Sequence, residues 1–334
     1  MAEAMDVFND LHMFIISQTL ITAAKLNMFD HMSGRTMTSG DLADITGGDA
    51  KVTEEMLDAL VAMGYVKKED QSYTNTVKAN KYMVKSSPTS LVTMAHSRDK
   101  SYYLFSDMAD AVKEGRLLKK DTGDRFKEIA EDHKKRTAFL KSMDSMIQNF
   151  RSPVLMNSFD FSSYSSACDL GGGNGGLSYS LSEKYPEMEI TILDLPAVVA
   201  AAEKLAKPTG GVTSNVAFRA GDMLTDELPK VDMILLASII HDWSLDKVNL
   251  ILSRTYAALN PGGAVVIVET LYEDQKERSS ITAHLFSLHM SMLGGGKQWS
   301  AFELRSLLQE HGFTDVKVKK SDFVYGVVIA TKPT

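Results

Sequence analysis

The second half of the chain alternates strand-like and helix-like segments, and this alternation restricts the fold more than any other feature. The predicted strands are SACDL, EITILD, VAFRA, VDMILLA and AVVIVET, each followed by turn residues or a helical stretch. Short apolar strands separated by helices favour a mostly parallel sheet covered on both faces. The last two strands, TDVKVKK and YGVVIATK, are joined only by SDFV, which is too short for a helical crossover. We therefore expect an α/β domain whose final strand is antiparallel.

The first half is typical of short helices and one hairpin. Apolar residues recur at helical spacing in two segments, with Asp49 as the expected cap of the second helix and Gly64 as its expected end. The stretch YVKKEDQSYTNT predicts a hairpin, so the outline is that of a winged helix. Such domains often bind DNA, but Glu54, Glu55 and Asp58 accompany Lys51 on the expected recognition helix. We expect a packing or dimerising role instead.

Length and composition favour a two-domain cytoplasmic protein. A chain of 334 residues exceeds what one core usually organises. We divide it into a helical domain (1–100), a helical connector (101–160) and an α/β domain (161–334). The net charge of -7 shows no long run of one sign, which argues against nucleic acid or an anionic membrane as a partner. Cys168 is the single cysteine, no basic and apolar leader opens the sequence, and no apolar run spans a bilayer.

The loop DLGGGNGG after the first predicted strand of the sheet indicates a nucleotide-type cofactor. Gly171, Gly173 and Gly176 fit the G-x-G-x-x-G pattern, which is typical of dinucleotide sites. Asp194, at the end of the next strand, suits the ribose hydroxyls of either NAD or S-adenosylmethionine. Asp169 distinguishes them, because a carboxylate repels a pyrophosphate but attracts the ammonium of a methionine moiety. The residues thus favour S-adenosylmethionine, and a nicotinamide-dependent oxidoreductase is the alternative.

Five motifs in this order give the chain a family resemblance. They are DLGGGNGG, ILDLPAVV, AGDML, IIHDWSLDKVNLIL and PGGAVVIVET. Together they resemble the S-adenosylmethionine-dependent O-methyltransferases of the caffeate and acetylserotonin type, over nearly the whole chain. The resemblance implies a Rossmann-like methyltransferase domain, with a seven-stranded sheet, preceded by a winged-helix-like dimerisation domain. It also implies a homodimer formed through the N-terminal helices.

The resemblance implies which residues hold the cofactor. Gly171 and Gly173 would let the backbone approach the methionine portion beside Asp169. The other implied contacts are Asp194 and Leu195 at the ribose, Asp222 and Met223 at the adenine, and Trp243 as a wall of the adenine pocket. The family has a Lys or Arg shortly before its catalytic histidine, and Ser238 stands there in this chain. Asp222, Met223 and Trp243 are also compatible with plain turn and core roles.

The resemblance also implies the catalytic groups. A phenol with a pKa of about 10 is a weak nucleophile until it loses its proton, and an imidazole with a pKa of about 6.5 can accept that proton. His241 would be this base, Glu269 would orient it, and Asp242 either assists or only begins the next helix. Related plant enzymes have a second Glu where this chain has Gln298, so we expect Gln298 to contribute orientation only. No His or carboxylate cluster has metal-ligand spacing, so we expect no metal.

The expected acceptor is a small aromatic molecule with a hydroxyl group, such as a hydroxyindole like N-acetylserotonin, or a phenol. By resemblance, two helical segments would line its pocket, although methionines at helical spacing are also common in cores. The candidate residues are Phe139, Met143 and Met146 in the first segment and Phe286, His289, Met290 and Met292 in the second. A family member that binds the cofactor without transferring the methyl group is the remaining alternative.

Overall fold

The computed structural model describes residues 2–115, 122–205, 214–275, 279–294, 296–321 and 325–334. The chain divides into two units, one ending at Ser106 and one running from Asp107 to Thr334. Most of the segment expected to be a connector therefore belongs to the second unit. Among the described residues, no helix is both long enough and apolar enough to cross a membrane.

The first unit combines six helices with a small antiparallel sheet. Its helices are α1 (Ala2–Lys25), α2 (Met28–His31), α3 (Ser39–Thr46), α4 (Ala50–Ala62), α5 (Val77–Tyr82) and α6 (Val92–Phe105). Its strands are β1 (Met37–Thr38), β2 (Val66–Glu69) and β3 (Ser72–Asn75), in the order β1-β3-β2. Helices α3 and α4 followed by the β2–β3 hairpin confirm the predicted winged-helix outline.

Local chemistry explains where these elements begin and end. The Asp49 side chain accepts a hydrogen bond from the backbone N–H of Val52 and so caps α4. Gly64, with φ of 72°, follows the end of α4 in a left-handed conformation that glycine adopts without strain. The hairpin pairs Glu69 with Ser72 and turns at Asp70, whose φ is 53°. Both predicted boundaries of α4 are thus confirmed.

The second unit opens with helices that precede the sheet. They are α7 (Met108–Glu114), α8 (Thr122–Glu131), α9 (His133–Met146), a π-helical turn (Ile147–Arg151) and α10 (Ser152–Met156). Asp132 separates α8 from α9, because its side chain accepts hydrogen bonds from the backbone N–H groups of Lys134 and Lys135. Phe139, Met143 and Met146 lie in α9, as their spacing predicts.

A mixed sheet forms the core of the second unit. Its strands are β4 (Ser166–Leu170), β5 (Glu189–Asp194), β6 (Val216–Ala220), β7 (Val231–Ala237), β8 (Leu259–Tyr272), β9 (Trp299–Ser300), β10 (Thr314–Lys320) and β11 (Tyr325–Thr331). Its helices are α11 (Gly176–Lys184), α12 (Pro196–Leu205), α13 (Leu245–Ala258), α14 (Ile281–Gly294) and α15 (Ala301–Glu310), with a 3-10 turn at Ile240–Asp242. The strand order is β10-β11-β8-β7-β4-β5-β6, and β9 pairs with the end of β8.

The topology confirms the predicted sheet and places its ligand-binding edge. Strands β4 to β8 are parallel, whereas β11 is antiparallel to both of its neighbours. Within the predicted connection between the last two strands, residues 322–324 lie outside the described residues. The chain places β5 and β6 on one side of β4 and β7 and β8 on the other. The carboxyl ends of β4 and β7 therefore flank the crevice where open α/β sheets bind ligands. The short β9 is an addition that the sequence pattern does not predict.

Candidate active site

The glycine loop forms a cradle between β4 and α11. Gly171, Gly173 and Gly175 have φ values of 70°, 59° and 80°, a region that side chains rarely adopt. A Cβ on Gly171 would lie only 2.6 Å from Cδ1 of Ile239, so a larger residue would force the Ile239 side chain to shift. The backbone N–H of Gly171 donates to the carbonyl of Leu193, which ties the loop to β5. The loop thus presents bare backbone at the carboxyl edge of the sheet.

Two acidic side chains flank this cradle. Asp169 is buried, and its Oδ2 accepts a hydrogen bond of 2.8 Å from the Ser178 hydroxyl of α11. Burial raises the pKa of Asp169 to about 7. Asp194 accepts hydrogen bonds from the backbone N–H groups of Gly173 and Leu195, at 2.8 Å and 2.7 Å. Burial raises the pKa of Asp194 to about 6, against the opposing effect of these hydrogen bonds.

Asp222 and Met223 lie just after β6, the strand next to β5 in the sheet. Oδ1 of Asp222 accepts from the backbone N–H of Leu224, and the backbone N–H of Asp222 donates to Asp226, so Asp222 shapes a turn. Met223 extends toward the glycine loop, because a Cβ on Gly171 would lie 3.1 Å from its Cε. The structure thus brings Met223 to the cradle.

His241 lies in the 3-10 turn after β7 and is held by Glu269 of β8. The Nδ1–H of His241 donates to Oε2 of Glu269, and the backbone N–H of His241 contacts Oε1 at 3.4 Å. Both residues are buried. Burial lowers the pKa of His241, but the nearby negative charges of Glu269 and Asp242 outweigh it, and the pKa is raised. Glu269 therefore fixes one ring nitrogen and leaves Nε2 as the acceptor.

Asp242 is held by a cation that the sequence pattern does not reveal. Its Oδ2 lies 3.5 Å from Nε2 of His241, and its Oδ1 forms an ion pair of 3.3 Å with Arg125 of α8. Burial raises the pKa of Asp242, and the charges of His241 and Arg125 oppose this rise. Trp243 packs into the sheet core and against Phe126, at 6.0 Å between ring centroids. Its place in the core is compatible with a packing role, which is the alternative to an adenine contact for this residue.

Two buried polar side chains near His241 have unsatisfied atoms. Ser238 has a φ of 56°, and its hydroxyl has no hydrogen-bond partner among the described residues. Gln298 is 0% exposed, and neither its Oε1 nor its Nε2 is partnered within the described part of the chain. A Cβ on Gly296 would overlap the carbonyl oxygen of His241, so the loop that carries Gln298 packs against the histidine backbone. Buried polar atoms without partners are typical of ligand sites.

The residues expected to line the pocket of the aromatic acceptor molecule differ in burial and in their distance from His241. Phe286 of α14 packs edge-on against the His241 ring, at 5.7 Å between centroids, and His289 stacks beside Phe286 at 6.4 Å. On α9, Phe139 contacts Phe126, which links it to Trp243. Met143 and Met146 are partly buried, and Met290 and Met292 are buried. Among the residues expected to line the pocket of the aromatic acceptor molecule, Phe286 therefore contacts the histidine ring directly.

A second unpredicted cation, Arg151, lowers the pKa of His241 through its positive charge. It ends the π-helical turn, is buried, and packs on the ring of Tyr325 with its guanidinium carbon 5.5 Å from the ring centroid. No sequence pattern marks Arg125 or Arg151, because neither belongs to one of the recognised motifs. Among the described residues, no group of three or more His, Cys, Asp or Glu side chains is arranged to hold a metal.

The cradle and its carboxylates suit an S-adenosylmethionine-type cofactor. Such a molecule needs close backbone approach, an anion for its ammonium and acceptors for its ribose hydroxyls, and the cradle with Asp169 and Asp194 offers all three. A pyrophosphate, in contrast, would meet the Asp169 carboxylate beside the loop.

Comparisons with known proteins agree with this arrangement. An O-methyltransferase domain model matches residues 105–314, and an O-methyltransferase dimerisation domain model matches residues 8–85. Acetylserotonin O-methyltransferase of Gallus gallus is 32% identical over 98% of this chain and 96% of that protein. A probable bifunctional dTTP/UTP pyrophosphatase/methyltransferase protein of Homo sapiens is 34% identical over 96% of this chain, which spans 52% of that relative.

A solved structure extends the comparison to three dimensions. Human N-acetylserotonin methyltransferase in complex with SAM superposes with a TM-score of 0.91 at 29% identity, covering 99% of this chain and 98% of the other. The family models, the relatives and this structure agree over both units of the chain. The chain belongs to the S-adenosylmethionine-dependent O-methyltransferases and carries the dimerisation domain of that family.

Proposed function

We propose that this methyltransferase acts on the hydroxyl group of a small aromatic acceptor, a hydroxyindole such as N-acetylserotonin or a phenol. The hydrogen bond between His241 Nδ1 and Glu269 carries this proposal, because it leaves Nε2 as a proton acceptor beside the aromatic ring of Phe286. A flat acceptor that packs on Phe286 would place its hydroxyl near that nitrogen. Aromatic and methionine side chains on α9 and α14 supply adaptable apolar contacts for such a ring.

In this mechanism, His241 removes the acceptor proton as the new C–O bond forms. Glu269 holds the ring in the tautomer that has its proton on Nδ1, and its negative charge stabilises the imidazolium that results. S-adenosylmethionine supplies a methyl group on a sulfonium, which is activated for in-line transfer. The burial of His241 and Glu269 excludes water and strengthens the interaction between them. Asp242, paired with Arg125, is positioned to assist through its contact with Nε2.

We assign cofactor binding to the cradle and its neighbours. Gly171 and Gly173 admit the methionine portion, the Asp169 carboxylate attracts its ammonium, and Asp194 accepts from the ribose hydroxyls. The adenine contacts would come from Asp222 and Met223, with Trp243 behind them and Leu195 beside the ribose. Ser238 takes the place of a basic residue, and its unpartnered hydroxyl is available to the ligand.

We further propose a cytoplasmic homodimer formed through α1. The segment of α1 from Met5 to Ile16 exposes eight large apolar side chains, whereas Ile21, Ala23 and Ala24 at its other end are buried in the first unit. Contiguous exposed apolar surface of this kind marks an interaction site. The matched dimerisation domain begins at residue 8, within this exposed part.

The decisive experiment combines binding and turnover. Wild type and His241→Ala are titrated with S-adenosylhomocysteine by calorimetry and then assayed with labelled S-adenosylmethionine against N-acetylserotonin and simple phenols. We expect equal cofactor affinity and a loss of turnover of roughly 100-fold or more in the variant. Unchanged turnover in His241→Ala would refute the proposal that His241 is the catalytic base. Cofactor binding with no methyl transfer to any hydroxyl acceptor would favour the non-methylating alternative.

A further inference from the structure

Arg151 is a buried cation without a matched anion. The residue is only 6% exposed, its Nε has no hydrogen-bond partner, and no carboxylate of the described residues forms an ion pair with it. The two carboxylates beside the base have partners of their own, since Asp242 pairs with Arg125 and Glu269 pairs with His241. Burying an unpaired guanidinium is costly, and a bound anion would remove this cost.

The local backbone at Arg151 also marks this part of the chain. Arg151 ends a π-helical turn that continues α9, and such turns occur frequently at functional sites. A Cβ on Gly176, at the start of α11, would lie 3.0 Å from Cγ2 of Ile147, the first residue of the turn. The turn therefore begins against the cofactor cradle, and it ends where the guanidinium of Arg151 packs on the ring of Tyr325.

Tyr325 connects Arg151 to a row of buried polar side chains on one face of the sheet. Tyr325 of β11 is the register partner of Thr270 of β8, so their side chains share a face. The residues that follow Gln298 and Thr270 pair with each other in β9 and β8, so Gln298 lies beside Thr270. All three residues of the row are buried. The row thus leads from Arg151, across the carboxyl end of β8, to Gln298.

Gln298 ends the row with an amide that has no partner. The residue is 0% exposed, and within the described part of the chain neither its Oε1 nor its Nε2 forms a hydrogen bond. Its backbone N–H donates to the hydroxyl of Ser287 in α14, next to Phe286, at 3.3 Å. The row therefore lies between the extension of α9 and α14, the two helices expected to line the acceptor pocket. A guanidinium and an amide N–H, both buried, suit the two oxygens of one carboxylate.

We propose that Arg151 and Gln298 form a subsite for a carboxylate group on the acceptor, so that the acceptor is a hydroxylated aromatic acid. The guanidinium of Arg151 donates to one carboxylate oxygen, and the Nε2–H of Gln298 donates to the other. The bound carboxylate supplies the negative charge that Arg151 lacks, whereas a neutral acceptor leaves the cation unpaired. This inference rests on the proposed function, because it names the class of molecule whose hydroxyl group is methylated.

The test compares para-hydroxyphenylacetate with its neutral amide, para-hydroxyphenylacetamide. Both are titrated by calorimetry into the protein saturated with S-adenosylhomocysteine. We expect wild type to bind the carboxylate roughly 10- to 100-fold more tightly than the amide, because hydrogen bonds to charged groups are the stronger ones. Arg151→Met should remove this preference, and Arg151→Lys should retain part of it. Equal affinity of wild type for the two probes, or a preference that persists in Arg151→Met, would overturn the proposal.

Further arms separate this result from misfolding and from failure of the proposed function. Arg136→Met is the matched control and should keep the preference, because Arg136 is also partly buried in α9 but donates to the Ala130 carbonyl. Arg151→Gln is the second neutral variant if Arg151→Met does not fold. Phenylacetate, which has no hydroxyl group, should show the same dependence on Arg151. Because these titrations measure binding, they test the subsite even if His241→Ala retains activity and the proposed base is wrong.

Discussion

Glu269 engages His241 twice, through the ring Nδ1–H and through the backbone N–H, and both residues are buried. One carboxylate thus fixes the ring and the turn that carries it. Gln298, which the family resemblance leads us to expect as an orienting residue only, has an amide without a partner among the described residues. Glu269 therefore holds the Nδ1 side of the histidine, and the Asp242 carboxylate lies on the Nε2 side.

Glu269→Gln tests whether the Glu269 carboxylate, and not Gln298, supports the base. The amide can still contact His241 but cannot stabilise an imidazolium, so we expect kcat to fall roughly 100-fold. Because the negative charge of Glu269 raises the pKa of His241, its removal lowers that pKa, and the acidic limb of the rate profile moves to lower pH. Gln298→Ala is the comparison variant and should lose far less. Equal losses in kcat would show that Gln298 shares the role of Glu269.

Asp169→Asn separates stability from cofactor binding. The pKa of Asp169 is about 7 in the folded protein and is ordinarily 3.8, so the folded state binds more protons than the unfolded state between pH 3.8 and pH 7. Its contribution to the free energy of unfolding therefore falls as pH rises from about 4 to 7. We expect Asp169→Asn to melt a few degrees higher than wild type at pH 8 and equally at pH 4.

The same variant should bind S-adenosylhomocysteine roughly tenfold more weakly at pH 8, because the attraction to the ligand ammonium is lost. For wild type, affinity should rise with pH as Asp169 ionises. Calorimetry across this pH range measures both effects. Asp169→Asn with wild-type affinity at pH 8 would exclude Asp169 from the cofactor site.

Gly171→Ala tests the cradle, with Gly34→Ala as its control. Both glycines have φ of 70°, but a Cβ on Gly171 meets Ile239 at 2.6 Å, whereas a Cβ on Gly34 has no atom within 4 Å. Each variant should lose about 1–2 kcal/mol of stability from the backbone conformation alone. Only Gly171→Ala should also lose affinity for S-adenosylhomocysteine and further stability. Thermal melts and calorimetry are carried out on both variants. Equal losses of stability and unchanged affinity for S-adenosylhomocysteine in both would contradict a close approach of the cofactor to Gly171.

Charge on α1 should dissociate the proposed dimer. Phe8 and Leu11 are 55% and 68% exposed, so Phe8→Asp/Leu11→Asp leaves the core of the first unit intact. We expect a monomer by light scattering where wild type is a dimer. Val77→Asp, at a position 82% exposed on α5, is the control and should remain dimeric. A double variant that still dimerises would show that the dimer interface does not include this part of α1.

The sequence by itself determined the order of the elements and the backbone of the cofactor loop. Short apolar runs separated by helical patterns mark the parallel strands, the short SDFV linker forces an antiparallel end, and Asp49 caps α4, because these effects act between residues close in the chain. The positive φ of Gly171 and Gly173 likewise follows from a local turn that only glycine enters freely.

Tertiary structure alone decided the electrostatics of the site. Burial gives Asp169 a pKa of about 7, although its sequence neighbours carry no sign of this. Arg125 reaches Asp242 from a separate helix, and the short strand β9, which begins at Trp299, pairs with the end of β8. Solvation and long-range charge depend on which distant residues the fold packs together, and no pattern along the chain records that.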